Sequence, residues 1–154
     1  MRIVISAVTK AFDKYCIAGL TENGQWVRPI PNSFTTRFWE ESDLRFGNKN
    51  DFLRSGDIIE FQGYEPTSFQ HENHIEDIVV KDGKITFLRR YSNYELINFL
   101  VGKEDNRTIF QNTVHANGRS LCLVKPDQIR FEVTKYFDQP KKPKLVLNKQ
   151  EFST

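Results

Sequence analysis

The segment CIAGLTENGQWVRPIP, residues 16–31, carries the clearest fold signal in this sequence. It joins a short apolar run to a second run, containing Trp26 and Arg28, through an Asn-Gly pair. Such a pair between apolar segments favours a tight hairpin with positive φ at both turn positions. The prolines that follow lack the amide donor that strand pairing needs. We therefore predict a β-hairpin whose second strand ends with an aromatic ring and a guanidinium that face solvent side by side.

Alternating and β-branched runs predict several more strands along the chain. An Asp82-Gly83 pair predicts that the runs 75–80 and 84–91 form a second hairpin. The other predicted strands are residues 2–9, IIEFQGY (58–64), SLCLVKP (120–126), QIRFEVTKY (128–136) and PKLVLNK (143–149).

One capped α-helix is predicted near residues 93–101. Ser92 and Glu95 match a capping box, in which the serine hydroxyl and the glutamate carboxylate each accept a hydrogen bond from an unpaired backbone amide. An apolar stripe follows, and Gly102 is suited to end the helix in a left-handed conformation.

The polar segment 32–54 is long for a connection and is expected to hold one short helix. It contains Phe38, Trp39 and Phe46, which are too apolar for a free linker. We therefore expect this segment to fold back on the sheet.

These elements indicate a mainly β protein built from OB-like small β-barrels, either one or two coupled, with the capped helix between strand clusters. A chain of 154 residues fits a single compact unit, 1–154. The alternative division is a first OB-like barrel at 1–92, followed at 93–154 by the helix and a second, incomplete barrel.

The net charge of +2 hides an asymmetry between the two halves. Residues 1–80 hold 8 Lys and Arg against 12 Asp and Glu, whereas residues 81–154 hold 14 against 8. A positive half can attract a polyanion. Thirteen Phe, five Tyr and two Trp exceed what one small core can hide, so exposed stacking faces are expected.

The cysteines and the apolar runs bear on the compartment. Cys16 and Cys122 lie in strand-like segments and are expected to be buried thiols, which makes a cytoplasmic protein the default. No run approaches the roughly 18 apolar residues that cross a bilayer, and the N-terminal apolar run is too short for a signal peptide. We predict neither membrane insertion nor secretion.

The residues best suited to recognition are arginines and aromatic rings. Arginine offers planar, permanently charged donors for phosphate, and rings stack on bases. Trp26 and Trp39 stand out because each lies beside an arginine or in a loop-like setting rather than in a uniform apolar run. The predicted ligand-binding residues are Trp26, Arg28, Arg37, Trp39, Arg89, Arg90 and Tyr91.

Signals for catalysis are weaker. His71 and His74, with Asp77, are the only candidates for a metal site, and one pair of histidines three apart in a loop more often serves backbone hydrogen bonding, so no metal is predicted. A Cys16 or Cys122 nucleophile with His71, His74 or His115 has no supporting signature. The glycines stand singly, which excludes a Walker-type phosphate loop. We predict no cofactor and no catalytic residues.

Three motifs in order, CIAGLTENGQWVRPIP, GDIIEF (56–61) and HENHIED (71–77), resemble the dual OB-containing domain family of prokaryotes. The resemblance implies two OB-like barrels in tandem and a role in binding nucleic acid or nucleotides, within systems that defend cells against phage. The positions that match the family motifs are Trp26, Arg28, Pro29, Gly56, Asp57, His71, His74 and Asp77.

We therefore expect a cytoplasmic, non-enzymatic module that binds single-stranded nucleic acid or nucleotides. Trp26 would stack on a base, and Arg28 with nearby basic residues would contact phosphate. One alternative is a protein-interaction or scaffold domain that docks through exposed aromatics and strand edges. A metal-dependent enzyme built on His71, His74 and Asp77 is a weaker alternative.

Overall fold

A computed structural model of the chain describes residues 1–33, 35–47, 51–67, 74–105, 118–134, 142–147 and 150–153. The chain divides into two compact units, Met1–Leu123 and Val124–Thr154. No helix in these described ranges has the length and apolarity needed to cross a membrane.

The first unit opens with a long antiparallel hairpin. Strand β1 (Arg2–Ala11) pairs with β2 (Lys14–Leu20), and the tight turn consists of Phe12 and Asp13. Both turn residues have positive φ, 53° and 61°, which is the backbone of a type I′ hairpin turn. Asparagine and glycine favour this turn, so a phenylalanine in it is unusual and has no local signature in the sequence.

The predicted hairpin of residues 16–31 is present, but its turn differs from the prediction. Strand β3 (Trp26–Ile30) pairs antiparallel with β2. The connecting loop is closed by hydrogen bonds between Thr21 and Gln25, and only Gly24, at φ 80°, has positive φ. The expectation of positive φ at both Asn-Gly positions was wrong because five residues, rather than two, span the turn.

The segment after β3 folds back on the sheet, as predicted. It contains one 3-10 turn (Glu41–Leu44) and the two-residue strands β4 (Arg45–Phe46) and β5 (Asp51–Phe52), which pair with each other. Trp39 exchanges backbone hydrogen bonds of 2.9 and 2.8 Å with Tyr15, which anchors the segment to β2.

Four further strands complete a seven-stranded sheet that curls into a half-barrel. They are β6 (Asp57–Glu60), β7 (Gly63–Tyr64), β8 (Asp77–Val80) and β9 (Thr86–Arg90), and the order in the sheet is β7-β8-β3-β2-β1-β6-β9.

The predicted hairpin between the runs 75–80 and 84–91 was wrong. Strand β8 pairs in parallel with β3 and antiparallel with β7, whereas β9 pairs with β6. Gly83 does make a turn, at φ 61°. The chain leaving this turn crosses to the other edge of the sheet instead of returning beside β8.

The core of the first unit fills the concave side of the half-barrel. Ile5, Ile17 and Ile59 are fully buried in its centre, and Trp39 and Leu44 from the folded-back segment cover them. The indole Nε1 of Trp39 donates a 2.8 Å hydrogen bond to the carbonyl oxygen of Pro29. A buried indole needs such a partner, so this bond fixes the folded-back segment against β3.

The capped helix is confirmed as α1 (Asn93–Leu100). Ser92 and Glu95 form the reciprocal capping box, with bonds of 3.3 and 2.8 Å to each other's backbone amides. Gly102 follows the helix at φ 79°.

The second unit contains one antiparallel sheet of three strands, β10 (Ile129–Thr134), β11 (Lys142–Leu147) and β12 (Gln150–Ser153). Strands β10 and β11 agree with the predicted runs QIRFEVTKY and PKLVLNK. The run SLCLVKP, predicted as a strand, has no regular secondary structure.

Candidate nucleic-acid interface

A groove of about 470 Å³ lies where β3 and β8 end. Pro31 follows β3 directly, and proline cannot donate to a continuing ladder, so the backbone opens here. Of the described residues that line the groove, only Arg37 carries a charge. Hydroxyl and amide side chains supply much of the remaining polar surface, among them Asn32, Ser33, Thr35, Thr36 and Thr67.

Aromatic rings stand at and beside this groove. Phe38 and Tyr64 line it, and Tyr64 is 45% exposed. The ring of Phe12, at the tip of the β1–β2 turn, is 90% exposed and packs edge-on against Phe38 at 6.2 Å between centroids. Three aromatic side chains are therefore available for stacking at one end of the sheet.

Arg37 presents a partly unpaired guanidinium beside these rings. Its Nη1 donates to Asp77 Oδ2 at 3.3 Å and lies 3.1 Å from His74 Nδ1. Within the described part of the chain, its Nε and Nη2 make no hydrogen bond. Because 28% of the side chain is exposed, these donors are accessible to an anion in the groove.

A buried polar network extends from Arg37 along the β3–β8 pair. The Asp77 carboxylate is fully buried and also accepts a 2.5 Å bond from Arg28 Nε. Arg28 Nη1 donates to the Ser120 hydroxyl at 3.1 Å. Ser120 in turn donates its backbone amide, at 3.0 Å, and its hydroxyl to Glu76 Oε1. The network therefore ties β3 and β8 to the segment around Ser120.

The network is not fully satisfied. Among the described residues, three buried side-chain atoms have no hydrogen-bond partner: Trp26 Nε1, Arg28 Nη2 and Glu76 Oε2. An unpaired buried donor or acceptor costs about 1–3 kcal/mol. Three such atoms in one small region are unusual for a purely structural cluster.

The expected solvent-facing pair of Trp26 and Arg28 was wrong. Arg28 is only 9% exposed, and its charge is paired with Asp77. Trp26 is half-buried rather than presented on the surface. The expectation that Trp39 is an exposed stacking face was also wrong, because its ring is 2% exposed and belongs to the core.

Arg89 and Tyr91 lie at a different groove, of about 370 Å³. The Arg89 guanidinium lies 4.6 Å above the Tyr91 ring and donates to Glu95 at 2.8 Å. Phe99 of α1 packs 5.9 Å from Tyr91. These residues form a separate surface from the one that contains Arg37.

Arg90 points to the interior. It donates from Nε to Asp57 Oδ1 and from Nη2 to Asp57 Oδ2 at 3.1 Å, and the Asp57 carboxylate is fully buried. The guanidinium also lies over the rings of Phe46 and Phe87. Gly56 precedes this aspartate at φ 89°, a conformation that disfavours other residues. The Gly-Asp motif therefore has a structural explanation.

The histidines and cysteines considered for catalysis do not form a common site among the described residues. His71 and His115 lie outside the described residues, and His74 lies beside Arg37. Burial raises the pKa of the Cys16 thiol, although Arg28 opposes the shift, and burial also raises the pKa of Cys122. No group of three His, Cys, Asp or Glu side chains in the described ranges is arranged to hold a metal ion.

Phe12, Glu76 and Ser120 were not predicted to belong to a site. Phe12 occupies a turn position where aromatic residues are rare, so no pattern marked it. Glu76 and Ser120 are 44 residues apart, and only the fold brings them together. Phe38 and Tyr64 are among the aromatic residues that the sequence offers as stacking faces, although neither was distinguished as a predicted ligand-binding residue.

The curled sheet with one helix, together with an aromatic and basic groove at its end, defines an OB-type β-barrel protein. The family model of the Dual OB-containing domain matches residues 1–153. The chain belongs to this family, as the sequence motifs indicated. No curated protein and no solved structure showed significant similarity to it.

Proposed function

We propose that the first unit binds single-stranded nucleic acid or nucleotides in the groove at the ends of β3 and β8. The observation that carries this proposal is the combination of Arg37, two of whose donor nitrogens have no partner among the described residues, with the aromatic rings of Phe38 and Tyr64 in the same groove, of which Tyr64 is exposed. Membership of an OB-containing family supports it, because OB folds commonly bind oligonucleotides through strands 2–3 and the adjoining loops.

The chemistry of the groove fits a single strand. A base stacked on an aromatic side chain contributes about 1–3 kcal/mol irrespective of its identity. Arg37 supplies donors to one phosphate, and none of the described residues that line the groove is a carboxylate that would repel it. The hydroxyl groups add donors and acceptors for sugar and base edges.

The proposal also covers the origin, the biological role and the cellular location of the protein. The family resemblance supports a prokaryotic origin and a role in defence against phage, and the cysteine content supports a cytoplasmic location. A protein-interaction role is the alternative, and it is favoured if the chain binds a protein partner but no oligonucleotide.

The test is the salt dependence of oligonucleotide binding by matched variants. We expect fluorescence anisotropy with labelled single-stranded RNA and DNA to show affinity that falls as salt rises. Arg37→Ala should lower the magnitude of the slope of log K against log salt by about 0.7, the value for one phosphate contact on a single strand. Tyr64→Leu should weaken binding about 5- to 100-fold with the slope unchanged.

The control is Arg54→Ala, which removes the same charge from an exposed residue outside the groove. It should leave both the affinity and the slope close to those of the unaltered chain. Thermal unfolding of each variant separates lost binding from lost fold. Binding that does not depend on salt, or equal losses in Arg37→Ala and Arg54→Ala, would contradict the proposal.

A further inference from the structure

A second concavity, of about 230 Å³, lies at the opposite end of the β3–β8 pair, where both strands begin. Trp26 is the first residue of β3, and Glu76 directly precedes β8. We call this concavity the Trp26 pocket. Its lining residues, all within the first unit, are Gly24, Gln25, Trp26, Ile75, Glu76, Asp105 and Arg119.

Two of the three unpartnered buried atoms belong to residues of the Trp26 pocket. Trp26 Nε1 is a donor, Glu76 Oε2 is an acceptor, and neither makes a hydrogen bond of normal geometry among the described residues. The Trp26 side chain does interact with the Asp105 carboxylate, and this interaction helps to lower the pKa of Asp105. Glu76 is only 5% exposed. A ligand that satisfies both atoms therefore presents an acceptor to the indole N–H and a donor to the carboxylate oxygen.

The charged groups at the pocket argue against a phosphate. Arg119 is paired with Asp105 through bonds of 2.9 and 3.1 Å, and its Nη2 also donates to the Leu121 carbonyl oxygen at 2.8 Å. Asp105 accepts a further bond from the Leu123 amide. Burial opposes its ionisation, but these bonds outweigh burial and lower the pKa of Asp105. The Glu76 carboxylate is thus flanked by a second carboxylate, and the neighbouring cation is already paired.

We propose that the Trp26 pocket binds the hydrogen-bonding edge of a nucleobase. Nucleobases place an N–H donor beside an acceptor, and proteins read an unstacked base through such an edge and an aromatic face. The volume is several times that of one water molecule, which occupies about 30 Å³ in the liquid. The choice of ligand rests on the proposed nucleic-acid function.

Entry of a base requires a small side-chain movement. Trp26 Nε1 and Glu76 Oε2 each expose less than 1 Å². The terminal torsion of a glutamate is broad, so a turn of the Glu76 carboxylate can bring Oε2 to the ligand. Because Oε1 accepts bonds from the Ser120 amide and hydroxyl, this turn must also rearrange those two bonds. The indole N–H then gains an acceptor, which changes its environment measurably.

The experiment is a nucleoside titration of the full chain, followed by NMR of the two indole N–H resonances. Adenosine, guanosine, cytidine and uridine are each added at millimolar concentration. We expect at least one to shift the Trp26 resonance saturably. The Trp39 resonance serves as an internal reference, because its N–H is already bonded to Pro29. Trp26→Phe assigns the peaks, and by calorimetry it should weaken binding of that nucleoside.

Glu76→Gln should weaken nucleoside binding about tenfold or more, because it removes the charged acceptor. Glu65→Gln, the same change at an exposed residue outside the pocket, should have no effect. Ribose 5-phosphate, which lacks a base, should leave the Trp26 resonance in place. The proposal is overturned if no nucleoside shifts that resonance, or if ribose 5-phosphate shifts it equally.

The experiments distinguish a failure of the groove proposal from a failure of the Trp26 pocket proposal. If oligonucleotides bind with the expected Arg37 dependence while nucleosides leave Trp26 unchanged, the pocket proposal is wrong and the groove proposal stands. If nucleosides shift Trp26 but Arg37→Ala changes nothing in oligonucleotide binding, the groove proposal is wrong and the pocket proposal stands.

Discussion

Asp57 and Asp77 each bury a carboxylate completely and pair it with an arginine from a neighbouring strand. Removing one member of a buried ion pair leaves the other charge buried without a partner, which is costly because the interior cannot solvate it. The arginines are 33 and 49 residues from their partners. Each pair therefore connects strands that are distant in the chain.

Asp57→Asn should lower the free energy of unfolding by roughly 3 kcal/mol, because Arg90 loses its counter-ion. Urea denaturation measures the loss. The matched control is Glu60→Gln, which breaks the exposed 3.3 Å pair with Arg2 and should cost less than about 1 kcal/mol. Equal losses in the two variants would show that the Asp57 pair is not a structural anchor.

At the scale of the element, α1 depends on its cap more than on burial, since none of its residues is fully buried. The Arg89 side chain and the Ser92 backbone amide hold the pKa of Glu95 at about 2, below its ordinary value of 4.5. A carboxylate whose pKa is lower in the folded than in the unfolded chain stabilises the fold fully at pH values above its unfolded pKa. The contribution is therefore complete above pH 4.5 and is lost as the pH falls toward 2.

Comparison of Glu95→Gln with the unaltered chain tests this pH dependence. The difference in unfolding free energy between them should be constant above pH 4.5 and should shrink as the pH falls toward 2. Urea unfolding at a series of pH values measures it. A difference that stays constant down to pH 2 would show that Glu95 does not titrate with the folded helix.

At the scale of the whole molecule, the residues of the main core lie between Ile3 and Val80, within the first unit. The polar network nevertheless needs a later segment, because Ser120 bonds both Arg28 and Glu76. We propose that Met1–Leu123, rather than residues 1–92, is the part of the chain that folds as a unit.

A fragment of residues 1–123 should therefore give a dispersed NMR spectrum and a single cooperative unfolding transition. A fragment of residues 1–92 should be far less stable, because it lacks α1 and leaves the Glu76 carboxylate and Arg28 without the Ser120 hydroxyl. If the shorter fragment unfolds at the same urea concentration, residues 93–123 are not needed for the fold.

The features that can be predicted from the sequence are those that depend on residues close together in the chain. The Ser92–Glu95 cap acts across three residues, and strands β1, β2 and β3 follow from local runs of alternating and β-branched residues. The motifs around Trp26 and Gly56 also sufficed to indicate the family. Such features need no knowledge of the rest of the molecule.

Which charged and aromatic groups are available to a ligand depends on the tertiary structure. Arg28 and Arg37 look alike in the sequence, and both pair with Asp77, yet Arg28 is buried whereas Arg37 is 28% exposed. Among the described residues, Arg37 Nε and Nη2 have no partner. The parallel pairing of β8 with β3 was likewise hidden, because an Asp-Gly turn favours a local hairpin. The physical reason is that burial and ion pairing are set by contacts between residues tens of positions apart, which local patterns do not encode.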